Sequence, residues 1–160
     1  MLLTTHALVG VALGYTQPTL IRGLLLSLAS HYVLDAIPHL EHRSYDVVIK
    51  FMNNPRGPEA RGMLSLFVFD GLLGLVVPFF IFPLANFYDG FYILCFIGAS
   101  MLPDALNGLY VYVPNRFVSA HFKFHQFFHF LILKRHWLQD HIFIGLLVQA
   151  VFAMLVIYLL

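Results

Sequence analysis

Apolar residues run along this chain in long blocks rather than in alternation, and the polar breaks between the blocks set the elements it predicts. Leu2 to Tyr15 is an apolar block in which Gly10 and Gly14 lie one turn apart, a small-residue face that lets helices approach closely. It is about 14 residues long, short of the roughly 20 that a spanning helix needs. Thr4 or Thr5 is placed to cap its start. Thr16-Gln17-Pro18 breaks the block, with Pro18 suited to a helix start, and Thr19 to Leu40 forms a second apolar stretch. Glu41 to Gly62 is the long polar segment, with turn formers at Asn53-Asn54-Pro55 and Gly57-Pro58. Met63 to Leu84 predicts a span kinked at Pro78, Ala85-Asn86 a short turn, and Phe87 to Leu106 the next span. Asn107 to Asn115 reads as a turn region whose Tyr110, Tyr112 and Pro114 suit a membrane interface. Phe117 to Leu133 is helical by its period, and Trp137 to Leu160 is the last apolar span. The start lacks the basic stretch and small-residue cleavage site of a removable signal.

Composition turns this pattern into a fold class. The 160 residues are 60% hydrophobic and 11% charged, and mean hydropathy is +0.81. A soluble domain is nearer to about 45–50% apolar and about 25% charged, and a chain this short has too small an interior to hide the excess. Soluble globular and disordered chains are therefore excluded. The expected fold is all-α: a polytopic transmembrane bundle of five or six helices, one of them able to lie along the interface instead of crossing. One integral membrane domain fills residues 1–160. Residues 41–62 form a cytoplasmic loop, because Arg43, Lys50, Arg56 and Arg61 fall there. The nine Lys and Arg residues are scattered and the net charge is +1, so nothing points to nucleic acid, and membrane lipid is the expected partner. Cys95 is alone, which rules out a disulfide or a thiolate metal site within one chain.

Histidine changes the picture most. The nine histidines outnumber the eight Asp and Glu together, although ionisable side chains are costly in hydrocarbon. If the helices carrying Asp35, Asp70 and Asp104 cross, all three carboxylates reach the same, cytoplasmic face, and His6 joins them if the short first helix also crosses. Three such groups would cost roughly 8–10 kcal/mol on insertion scales, so they need protons, histidine partners or a metal. His31, Asp35 and His39 recur every fourth residue on one helix face, and so do His121, His125 and His129. The spacing of His125 and His129 is the one helical zinc sites use. The expected ligands are His6, Asp35, Asp70, Asp104, His125 and His129, with His31, His39, His121 and His141 as further ligands or as groups that orient them. Imidazole mixed with carboxylate suits a divalent ion, Zn first and Mn or Fe as alternatives. One or two ions fit the number of donors, and two about 3.5–4 Å apart would favour hydroxide attack on a phosphate ester. His141 reaches this face only if Phe117–Leu133 lies along the interface, the arrangement that also brings Lys134 and Arg135 to the cytoplasmic side. A weak internal repeat accompanies these groups. His6, Asp70 and His141 each stand one turn ahead of a glycine, and Leu28–Ala36 resembles Ile97–Ala105.

Thr5-His6, then Ser30-His31, Asp35 and Pro38-His39, then Leu102-Pro103-Asp104 and a His-rich helix together resemble the LexA-regulated membrane-bound metal-dependent hydrolase family. The chain is more loosely similar to zinc-dependent phospholipase C-like proteins. His6 matches the family's N-terminal histidine and Leu102-Pro103-Asp104 its Pro-Asp motif, while Leu34-Asp35 lacks the preceding proline. The later His-Arg-Gly and Thr-His-Ser motif is missing, and His121, His125 and His129 occupy its place. The resemblance implies a hydrolase of a bacterial inner membrane, with a His/Asp metal site at the cytoplasmic face, acting on lipid-phosphate or related esters. Water on the metal would be the nucleophile, and no side chain is assigned as general base. A metal-ion or proton transporter and a non-catalytic membrane scaffold are the alternatives.

Overall fold

The computed structural model describes residues 2–37, 54, 57–110, 112–113, 115–132 and 142–159. Among these residues the fold is all-α, with six helices and no strand: α1 (Leu3–Tyr15), α2 (Leu20–Ala36), α3 (Pro58–Ile81), α4 (Phe87–Tyr110), α5 (Arg116–Ile132) and α6 (Ile142–Leu159). Most of the polar loop expected at 41–62, together with His39 and His141, lies outside the described residues.

Each apolar block became a helix, and the differences lie at the ends. Thr19 caps α2 by accepting from the Arg22 N–H at 3.4 Å, so Pro18 stands ahead of the cap rather than in the first turn. α1 is preceded by Leu2 and takes no cap from Thr4 or Thr5, because the partners of its first N–H groups come from other helices. The Asp70 carboxylate on α3 accepts from Leu3 N at 2.5 Å and Thr4 N at 3.3 Å, and the Thr4 hydroxyl donates to it at 2.6 Å. Gln149 on α6 accepts from Leu2 N at 2.9 Å. α4 continues through the expected turn at Asn107 to Tyr110, whose ring stacks on Phe122 of α5 with centroids 4.5 Å apart. That contact with a neighbouring helix holds a turn that Asn107-Gly108 alone would not favour.

The hub is α1. At about 1.5 Å per residue it is only about 20 Å long, yet nine of its 13 residues are buried, and it packs on α2, α3, α4 and α6. A helix that is apolar all round belongs inside a protein, and the short length lets both of its ends meet side chains from neighbours. Ala7 and Val11 pack with Ile93, Phe96 and Ile97 of α4, and Val9 packs with Leu34 of α2 and Ala153 of α6.

Small residues set how closely these helices approach. The Phe96 ring is wedged between α1 and α2. A Cβ on Gly14 would come 2.6 Å from the ring's Cγ, and one on Gly23 would come 2.5 Å from its Cε1. Gly10 faces Ser100 so tightly that a Cβ there would lie 2.5 Å from the serine Cβ. The Gly10 carbonyl also accepts from the Ser27 hydroxyl of α2 at 2.6 Å.

The outer surface is apolar. Leu66, Phe69 and Phe80 on α3 and Phe87 on α4 face outward, and Leu64–Ile81 and Phe87–Tyr110 are long and apolar enough to cross a membrane by length and composition.

Asp70→Ala is expected to lower stability by about 0.5–2 kcal/mol, the usual loss when a helix N-terminus loses its side-chain acceptor. Asp70→Asn, which keeps one acceptor oxygen, should lose less. Thermal midpoints of the purified variants compare the two. Equal midpoints for wild type and Asp70→Ala would remove the capping role.

Candidate metal centre

Four helices bring ionisable groups to one buried point. On α2, residues four apart share a face, which sets His31 Nε2 2.9 Å from Asp35 Oδ2. From α5, His125 Nε2 approaches the same oxygen to 2.9 Å and His129 Nε2 to 3.3 Å. The two nitrogens of His31 and His125 lie 2.9 Å apart. Asp104 of α4 adds Oδ1 at 3.4 Å from His125 and 3.8 Å from His31. From α1, His6 Nε2 lies 3.1 Å from the other oxygen of the carboxylate, Asp35 Oδ1. His6, His31 and Asp35 are fully buried, whereas the Asp104 side chain is 18% exposed.

One donor atom each from His31, Asp35, Asp104 and His125 lies within 4.8 Å of the other three, the arrangement of a group able to hold a metal ion. Donors about 2.0–2.1 Å from a tetrahedral ion stand roughly 3.3–3.4 Å from one another. The contacts of 2.9, 3.4 and 3.8 Å bracket that spacing.

The proton positions point the same way. His31 Nδ1 lies 2.7 Å from the Ser100 carbonyl. A carbonyl only accepts, so Nδ1 carries the proton and a neutral ring turns its Nε2 lone pair toward Asp35 Oδ2 and His125 Nε2. If His125 also holds its proton on Nδ1, acceptor faces acceptor in a dry site, and a metal ion or an added proton would lie between them. His125 Nδ1 meets the Asn107 side-chain amide, and Asn107 Oδ1 is buried with no partner among the described residues. Rotating that amide to set its oxygen toward Nδ1 gives the oxygen a donor and fixes the same tautomer on His125. Both histidines then follow the habit of metal ligands, one nitrogen on the ion and the other donating to an oxygen.

Of the residues expected from sequence, His6, Asp35, Asp104, His125 and His129 meet here, and His31 stands at the centre rather than at the margin. Asp70 does not join them. Its carboxylate is engaged by the start of α1, so the ligand expectation for Asp70 is replaced by a capping role. His121 stands beside the group. It stacks on His125 with centroids 5.9 Å apart, and its Nε2 lies 3.4 Å from the Tyr32 hydroxyl. Tyr32 in turn packs edge-on against Phe124 and tilted against Phe128, closing one side of the group with rings 5.2 and 5.0 Å away.

Sequence reasoning missed Asn107, Ser100 and Tyr32 as partners of the site. Asn107 follows Asp104 by three residues and so shares its helix face, but the expected turn concealed this. Ser100 contributes a backbone carbonyl, which leaves no mark on residue type. No protein-family model, curated protein or solved structure matches the chain, so its chemistry is read from these residues themselves.

Proposed function

We propose that this chain is an integral membrane metal-dependent hydrolase of a bacterial inner membrane, whose His/Asp centre acts on lipid-phosphate or related esters at the cytoplasmic face. The observation that carries this reading is the His31 ring. Its Nδ1 is committed to the Ser100 carbonyl at 2.7 Å while its Nε2 faces Asp35 Oδ2 and His125 Nε2, both at 2.9 Å. Zn is the first choice for imidazole mixed with carboxylate, with Mn and Fe as alternatives. Such an ion, when bound, would lower the pKa of its water toward neutrality and polarise a phosphoryl oxygen.

His31, Asp35, Asp104 and His125 would hold the ion. Ser100 and Asn107 would fix the tautomers of the two histidines, and Asp104, the more exposed carboxylate, would border the approach of substrate. Two further features support a headgroup substrate. Asp35 lies one residue from the end of α2 and Asp104 less than two turns from the end of α4, so both carboxylates sit toward helix ends. The outward faces of α3 and α4 are rich in Leu and Phe, as lipid contact requires.

A second reading, transport of a metal ion or proton, draws on the full burial of His6, His31 and Asp35. One experiment separates the two. Detergent-purified protein is assayed for metal by mass spectrometry, beside Asp35→Ala and Asp104→Ala, and then for hydrolysis of phosphate monoesters, diesters and phosphatidic acid. Bound Zn, Mn or Fe that is lost in both variants, with ester turnover dependent on it, is the expected result. Bound metal without turnover, but with metal flux into proteoliposomes, would move the reading to transport. A folded, metal-free protein would end the hydrolase reading.

A further inference from the structure

Building on that metal reading, we infer that Asp35 bridges two cation positions, the second of them held by His6. Asp35 divides its oxygens. His31, His125 and His129 gather on Oδ2, while His6 alone among these residues approaches Oδ1, at 3.1 Å. His6 is not one of the four residues that converge on the first position. Its Nε2 lies 3.1 Å from Oδ1, within reach of a proton or an ion shared between them.

The rings add a spacing. His6 stacks on His31 with centroids 4.0 Å apart and planes within 23°. Two nearly parallel imidazoles thus present nitrogens to different oxygens of one carboxylate. Two ions on the two oxygens of one bridging carboxylate stand roughly 3.5–4 Å apart in two-metal phosphoesterase sites.

Charge then names the class of ligand the pair would take. Two divalent ions beside the two carboxylates Asp35 and Asp104 leave an excess of about two positive charges in a buried site. An anion with several oxygens, such as a phosphate ester, neutralises that excess, and a neutral ester does not. Among the described residues the second position has two protein donors, His6 Nε2 and Asp35 Oδ1, against four at the first. It is therefore the weaker of the two.

The test is a Mn(II) titration of the full chain in lipid nanodiscs, followed by electron paramagnetic resonance. Wild type is expected to bind two equivalents, the second more weakly, and to develop an exchange-coupled signal as the second fills. His6→Ala should bind one equivalent with an uncoupled signal. His6→Gln, which keeps a polar side chain in the cavity, should do the same if alanine proves unfolded by circular dichroism. Saturation of wild type at one equivalent, or His6 variants that keep the coupled signal, would overturn the second position and leave the first intact. A folded wild type that takes up no Mn, Zn or Fe would overturn the metal reading beneath it as well.

Discussion

Asp35→Asn is expected to abolish metal loading, with affinity falling by more than the roughly 100-fold that follows loss of a group merely orienting a ligand. This carboxylate is fully buried and is the one group that four histidines from three helices approach: His6, His31, His125 and His129. Asparagine keeps the shape but removes the charge and replaces one oxygen with an NH2 group that repels an ion. The fold should persist, because the substitution leaves no cavity. Metal content by mass spectrometry, read beside the thermal midpoint, checks both halves of this expectation. Asp104→Asn should lose less, since Asp104 is partly exposed and its nearest histidine nitrogen lies 3.4 Å away. Full metal occupancy in Asp35→Asn would refute the assignment of the centre.

The second large effect is expected far from any ionisable group. Gly10→Ala places a Cβ 2.5 Å from Ser100 Cβ and 2.8 Å from its Oγ, so α1 and α4 must separate or shift. Overpacking of this kind costs about 1–3 kcal/mol. Ser100 is also the residue whose carbonyl holds His31 Nδ1. The same displacement should therefore weaken metal binding by about 10–100-fold, as loss of a tautomer-fixing contact does. Adding Ser100→Gly removes both clashing atoms and should restore part of the stability and of the metal affinity. That restoration is the signature of coupling between touching residues, as opposed to two independent losses. Strictly additive effects in the double variant would mean that the close approach at Gly10 does not position the centre.

Much of this architecture was legible in the residue order. Apolar blocks bounded by Thr16-Gln17-Pro18, Gly57-Pro58 and Ala85-Asn86 became helices because buried or lipid-facing apolar surface and backbone breakers act locally. His6, Asp35, Asp104, His125 and His129 stood out because a charge-bearing group in an apolar block is expensive without a partner. Three residues escape a local reading, each for its own reason. Asp70 met the same test of expense, but its partners are the N–H groups of Leu3 and Thr4, and no local pattern announces where a distant helix begins. Asn107 was assigned to a turn on its own propensity, whereas the stacking of Tyr110 on Phe122 keeps it helical and within reach of His125. Spacing gives His31 its shared face with Asp35 but not the Ser100 carbonyl, which belongs to a helix remote in sequence.

The anchoring of α1 also has a consequence for how the protein is made. α1 is tied down by residues made well after it: Asp70, 67 positions after Leu3, and Gln149, 147 positions after Leu2. At roughly 5–20 residues per second, about 7–30 s separate the emergence of Leu2 from that of its last partner. Until Asp70 and then Gln149 emerge, α1 exists without the acceptors for its leading N–H groups. α2, α3 and α4 can close around α1 earlier, but its leading end gains its last acceptor only when α6 docks.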